Sequence, residues 1–175
     1  MTSSKKHIAP ISNGNVSIRL ICEDDIEIIR NWRNNDEIRL NFKNSDIISF
    51  QQQREWFLKY YADSTDYFFM ILFEENQSIC PVGAVALYSI LDTKAEFGRC
   101  MMGNSEKRNR GVFFKACKLL FNIANFQLAL SELKLEVFLV NERAIHVYKQ
   151  LGFVETGRDE LFLFMRLLNP SCEIT

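Results

Sequence analysis

Three stretches of this chain combine residue types and spacings that chemistry can use. The first is Glu106-Lys107-Arg108-Asn109-Arg110-Gly111-Val112, directly before the longest helical pattern in the sequence. A helix start presents unpaired N–H groups and the positive end of the macrodipole, so it suits an anion, phosphate above all. Lys107, Arg108 and Arg110 add charge there, and Gly111 lets the backbone approach a ligand closely or take a positive φ. The same residues also make an ordinary solvated basic loop, and spacing alone leaves both readings open. The second stretch runs from Asn141 to Phe153. Asn141 is a good N-cap. Asn141, Ala144, Ile145 and Tyr148 stand at i, i+3, i+4 and i+7 and share one helical face, which turns a phenol inward, level with the strand ends. Gly152 suits a left-handed helix end. Taken alone, Tyr148 is equally a core residue with its hydroxyl bonded nearby. The third stretch is Glu96-Phe97-Gly98-Arg99, where a carboxylate on a strand either accepts a proton or faces water.

The elements that must position these residues follow from periodicity. Residues 1–14 are polar, carry Pro10 and Asn13-Gly14, and read as a flexible lead-in. Alternation at Val16, Ile18, Leu20 and Cys22 gives a half-buried strand. Asp24 and Glu27 resemble a capping box ahead of a short amphipathic helix through Trp32 and Arg33. A second helix is expected over 49–61. The apolar run at 67–73 reads as a strand buried on both faces, with further strands at 82–90 and 94–102. A mostly buried helix over 112–130 precedes a clear strand at 133–139, a short helix at 141–151 and strands near 153–158 and 161–168. The middle strands form antiparallel hairpins, and the strand–helix–strand unit around 112–130 is a right-handed parallel crossover. A single α/β domain over 15–170 results, with no repeat or linker to divide it.

Composition narrows the function. With 21 Lys+Arg against 22 Asp+Glu in 175 residues, the net charge of −1 argues against a nucleic-acid binder. No apolar run reaches the roughly 18 residues that span a bilayer, so no membrane partner is expected. The N-terminal residues lack a secretory pattern. Five scattered cysteines without a C-x-x-C pair, and only two histidines, point to no metal site, no disulfide framework and a reducing cytoplasm.

Taken together, Arg108-x-x-Gly111-x opening a long helix, then a strand, then Asn141-x-x-Ala144-x-x-x-Tyr148-x-x-x-Gly152-Phe153, resemble the GCN5-related N-acetyltransferase (GNAT) family. The element order from Val16 to Leu168 fits as well. Trp32-Arg33-Asn34, Trp56-Phe57 and Glu96-Phe97-Gly98-Arg99 resemble the amino-sugar and surface-polysaccharide acetyltransferases, and the ribosomal-protein N-terminal acetyltransferases share much of that layout. Two departures stand out. Phe113 occupies a position where the family usually has Gly or Ala, and the segment between Gly98 and Arg108 is longer than in many relatives.

The resemblance implies a single mixed, mostly antiparallel seven-stranded sheet flanked by about four helices, with the fourth and fifth strands (about 95–102 and 133–140) parallel and splayed. It implies acetyl-CoA as co-substrate. The pantetheine arm then lies against the backbone of Cys100, Met101 and Met102, and the pyrophosphate on Arg108, Asn109, Arg110, Gly111, Val112 and Phe113. Asn141 orients the arm or a water. An amine attacks the thioester directly; Tyr148 protonates the departing thiolate, and Glu96 is the candidate base. Arg33 and Arg54 are candidates for gripping an acceptor phosphate, guanidinium being suited to it; both are equally read as exposed helix residues with surface partners. A nucleotide-linked amino sugar is the expected acceptor. A protein N-terminus, a small polyamine or an antibiotic amine is the alternative, and a non-catalytic acyl-CoA-binding module is a further one, kept open by Phe113. A homodimer accords with the resemblance, though no residue here argues for it.

Overall fold

The apolar run Tyr67–Glu75 becomes the strand β3. Phe69, Met70 and Ile71 within it are fully buried, because both of its faces are covered. This computed structural model describes residues 5–104 and 111–171. Around β3 a single sheet is built from β1 (Ile11–Asn13), β2 (Val16–Leu20), β4 (Ser78–Leu91), β5 (Lys94–Met102), β6 (Glu132–Phe138), β7 (Val154–Arg158) and β8 (Phe162–Leu168). The eight strands lie in the order β1-β2-β3-β4-β5-β6-β8-β7. All pairs are antiparallel except β5–β6.

The helices are α1 (Ile26–Asn34), α2 (Asp36–Arg39), α3 (Phe50–Ala62), α4 (Val112–Asn122, widening into a π turn at Ile123–Gln127) and α5 (Glu142–Gln150). Successive strand residues point to opposite faces. Phe69, Ile71, Val85, Leu87 and Phe97 therefore join α4 and α5 in one apolar cluster. Phe68, Met70, Ala84, Ala86 and Met101 join α1 and α3 in another. No helix among the described residues is long and apolar enough to cross a membrane.

The sheet has eight strands where seven were expected. Ile11–Asn13, inside the segment read as a lead-in, turns at Gly14 (φ 58°) and pairs with β2. Three residues are too few for alternation to register. The capping near α1 also differs. Asp25, not Asp24, bonds back to the Cys22 N–H at 2.8 Å, and it is paired with Arg19 at 2.6 Å. Burial raises the Asp25 carboxyl, but these hydrogen bonds outweigh it and hold the group below the usual carboxylate range. At β4, the strand begins three residues before Pro81. Pro81 sits at a register shift opposite Leu72, outside the β5 pairing that starts at Gly83, so its missing N–H breaks no ladder bond there.

Two irregularities in β5 shape everything that follows. Between the pairs Ala84–Met101 and Ala86–Gly98, β4 advances two residues and β5 three, so β5 bulges. Arg99 in that bulge has φ 50°. Then β5 and β6 pair only at Lys94–Glu132, Ala95–Leu133 and Glu96–Lys134. From Phe97 onward the β6-facing edge of β5 has no strand partner, and the two strands diverge.

Candidate active site

A cleft of about 550 Å³ opens where β5 and β6 part. Glu96, Cys100, Met101, Met102, Phe113, Asn141 and Tyr148 all line it, as does Arg33 from α1. Backbone N–H and C=O groups on a strand edge must find partners, and an extended, amide-bearing molecule supplies them as an added strand would. The gap therefore fits a pantetheine arm.

Tyr148 stands on the inward face of α5, 9% exposed, edge-on to Phe97 with ring centroids 5.9 Å apart. Its hydroxyl lies near the Cys100 thiol, which places it beyond the last paired residues of β5, in the gap. Burial pushes the phenol well above its ordinary range, and the neighbouring Cys100 adds to that. The Cys100 thiol is itself pushed up to about 12 by burial. Both groups thus hold their protons at neutral pH. Tyr148 is equipped to give a proton rather than to take one.

These shifts carry a pH consequence. Burial also raises the phenols of Tyr60 and Tyr88. Unfolding returns such groups to thiol and phenol pKa values of about 8.5 and 10, so above about pH 9 the folded state binds more protons than the unfolded one and stability falls as pH rises. The Lys5 ammonium, lowered to about 8 by burial, acts with the opposite sign above that pH. Urea midpoints are expected to decline between about pH 9 and 11, four raised groups outweighing one lowered. A midpoint that climbs over that interval would contradict this.

Asn141 caps α5, accepting from the Ala144 N–H at 3.1 Å. Its amide also donates to Asn41 at 3.0 Å, and Lys43 beside Asn41 pairs with Glu136 on β6. The segment after α2 thus reaches across to the α5 side of the cleft. Glu96 is exposed, at the end of the β5–β6 pairing, with the Tyr88 hydroxyl near its carboxylate. Gly98 makes room for that ring: a Cβ there would lie 2.8 Å from the Tyr88 oxygen.

At the head of α4, Gly111 adopts φ 68°, the left-handed conformation that glycine takes without strain. Val112 is buried, and Phe113 is half-buried along the cleft wall. Arg108, Asn109 and Arg110 lie outside the described residues.

A second cavity, of about 370 Å³, lies under α1 and α3. Arg33, Phe42, Asn44, Arg99 and Met101 border both cavities, so the two meet beside Met101. The Trp32-Arg33-Asn34 triplet explains how α1 is set. Asn34 exchanges two 2.8 Å bonds with the backbone of Ile48 and fixes the approach to α3. Arg33 stacks over Phe42 at 4.1 Å and donates to the Asn44 carbonyl, but its Nη1 is buried with no hydrogen-bond partner among the described residues. Burial, with Arg39 nearby, lowers its pKa.

Trp32 packs on Gly103 so closely that a Cβ there would fall 2.0 Å from the indole. Gly103→Ala is accordingly expected to cost about 1–3 kcal/mol by overpacking, read as a lower urea midpoint. An unchanged midpoint would mean that the indole swings away freely.

Arg54 is not part of this arrangement. It lines neither cavity, faces Glu23 at 3.6 Å and lies over the Phe50 ring. Gln53, Phe57 and Tyr60 occupy the buried side of α3, which leaves position 54 on the solvent side. Arg99 takes its place at the cavity. The sequence offered no sign of this, because alternation along β5 cannot reveal that a bulge re-aims the side chain.

Comparison with known proteins agrees with this geometry. Residues 15–154 match the acetyltransferase (GNAT) domain. The acetyltransferase PseH of Campylobacter jejuni is 26% identical over 149 residues, covering 85% of this chain and 89% of that protein. Spermidine N(1)-acetyltransferase of Vibrio cholerae is 26% identical over 157 residues, covering 86% and 87%. The crystal structure of spermidine N-acetyltransferase from V. cholerae in complex with CoA and spermine superposes with a TM-score of 0.79 at 25% identity, over 90% of this chain and 97% of that one. With its parted β5 and β6, its left-handed glycine before α4 and its family match over residues 15–154, the chain belongs to the GNAT family of acetyltransferases, enzymes that take their acetyl group from acetyl-CoA.

Proposed function

We propose that this acetyltransferase acts on a small primary amine whose scaffold carries a phosphate, and that the acceptor is a nucleotide-linked amino sugar. One observation carries the proposal: the buried, unpartnered Nη1 of Arg33 where the two cavities meet, with the guanidinium carbon over the Phe42 ring. A desolvated guanidinium without a carboxylate favours an anionic ligand. Aromatic walls from Phe42, Trp56 and Phe68 suit a sugar or base beside it. The similarity to PseH supports an acceptor of this type.

Each of the chain's residues then has a task. The free edge of β5 at Cys100, Met101 and Met102 binds the pantetheine arm, and the residues that precede and open α4 in the sequence, Arg108 to Phe113, the pyrophosphate. A backbone N–H near Met101 meets the carbonyl oxygen as charge develops on it. Glu96, directly or through water, takes the proton that the amine loses as its nitrogen bonds to the acyl carbon. Tyr148 gives its proton to the thiolate as the carbon–sulfur bond breaks. Asn141 steadies the arm or a water at the cleft wall. The catalytic domain spans residues 15–170.

A polyamine acceptor is the second reading. It is favoured by Glu37, Glu96 and Glu136 along the larger cleft and by the similarity to the spermidine enzyme. Release of coenzyme A across a panel of amines decides between them. Expected is a kcat/KM for a uridine-diphosphate-linked amino sugar at least about tenfold above that for spermidine or an alanine-ended peptide, with Arg33→Ala raising the sugar's KM by about tenfold or more. Spermidine as the best substrate, unaffected by Arg33→Ala, would overturn the proposal.

A further inference from the structure

Gln53 is a polar side chain where the fold calls for an apolar one. It lies on the sheet-facing side of α3, one turn before Phe57 and two before Tyr60, and is 4% exposed. Its neighbour Gln52 uses its side chain in the capping box with Ser49. The Gln53 amide has no hydrogen-bond partner among the described residues. A primary amide offers two N–H donors and a carbonyl acceptor, and these face the cavity. Leucine at this position would complete the cluster around Ile29, Phe57 and Phe68. The amide borders a cavity instead of a protein partner.

The rest of that cavity says what the amide meets. Trp56 and Phe68, edge to face at 5.9 Å, form an apolar corner. Arg33 stands at the junction with the larger cleft. A ligand filling this space has an anion at Arg33, a flat or compact apolar surface against Trp56, and a group that both accepts from and donates to an amide.

We propose that the 370 Å³ cavity is the specificity subsite for the acceptor, and that Gln53 pairs there with a planar O=C–N–H group, donating to its carbonyl and accepting from its N–H. The proposal rests on the anionic acceptor argued above. Two sources carry this chemistry, the imide edge of a pyrimidine base and an acetamido substituent on the sugar.

The test uses the full chain with coenzyme A in excess, so that the donor site is filled. The probes are uridine 5′-monophosphate, N-acetylglucosamine 1-phosphate and glucose 1-phosphate, the last having the phosphate without the amide. Binding is followed by the fluorescence of Trp32 and Trp56. At least one amide-bearing probe is expected to bind about tenfold or more tighter than glucose 1-phosphate. Gln53→Leu is expected to abolish that preference, to leave the glucose 1-phosphate affinity unchanged, and to hold or raise Tm. Preference for the uridine probe identifies a base as the partner, and preference for the acetylated sugar identifies an acetamido group. Equal binding of all three, or a preference that survives Gln53→Leu, overturns the assignment and leaves the anionic acceptor standing. A lower Tm for Gln53→Leu also overturns it, since the amide would then be a structural group. Failure of all three probes to bind overturns both.

Discussion

Tyr148→Phe is expected to lower kcat about a hundredfold, while the affinity for acetyl-CoA stays within about twofold. The expectation follows from where the hydroxyl is. It lies near the Cys100 thiol on the unpaired stretch of β5, in the gap proposed for the pantetheine arm. A thiolate leaving within that gap finds one strong O–H donor beside it. Phenylalanine keeps the ring against Phe97 and Phe153, so packing and the shape of the arm's groove survive. Removing the hydroxyl costs the fold at most about 1 kcal/mol. The raised pKa adds a second readout: Tyr148 stays protonated through the neutral range, so it contributes no basic limb to the wild-type pH profile there. Single-turnover release of coenzyme A, with acetyl-CoA binding measured separately, distinguishes the outcomes. Undiminished kcat would make Tyr148 a core residue whose hydroxyl has no part in the chemistry.

Asp66→Ala is expected to lower stability by about 3 kcal/mol, the low end for breaking a buried ion pair, and to reduce activity with it. Arg99 explains both. Its backbone is left-handed in the β5 bulge, a conformation that costs a non-glycine residue about 1–3 kcal/mol. Both Asp66 oxygens accept from its Nη1, at 2.7 and 2.8 Å, and the guanidinium lies over Tyr88 at 4.4 Å. Asp66 is buried, which pushes its carboxyl up, and the Arg99 charge works against that shift. Without Asp66 the guanidinium keeps its desolvation and loses its counter-charge. The bulge that sets Met101 at the junction of the cavities then loses its anchor. Asp66→Asn, which retains an acceptor, is expected to cost about half as much. Urea denaturation of the two variants checks the order. A loss below about 1 kcal/mol for Asp66→Ala would show that the pair behaves like an exposed one.

The element order was legible in the sequence because it depends on near neighbours. Alternation marked β2 and β6, the solid apolar run marked β3, and i, i+3, i+4 and i+7 spacing turned Tyr148 inward on α5. Arg108-x-x-Gly111 and the Asn141-to-Phe153 pattern fixed which family the chain resembled, because those residues are tied to local turns and caps. The β1 strand escaped notice because three residues carry no period.

What the tertiary structure alone decided is which side chains share a cavity. Gln53 and Arg54 are adjacent in sequence and equally polar, yet one borders the cavity under α1 and α3 and the other faces Glu23 in solvent, since neighbouring positions on a helix lie about 100° apart and only the packed sheet tells which side is inside. Arg99 and Asp66 are 33 residues apart, and their pairing exists only because β5 carries one residue more than β4 across from it. Local patterns record what each residue does with its neighbours along the chain; a bulge, a divergence of two strands and one unpartnered guanidinium nitrogen are properties of elements meeting in space, and no local pattern contains them.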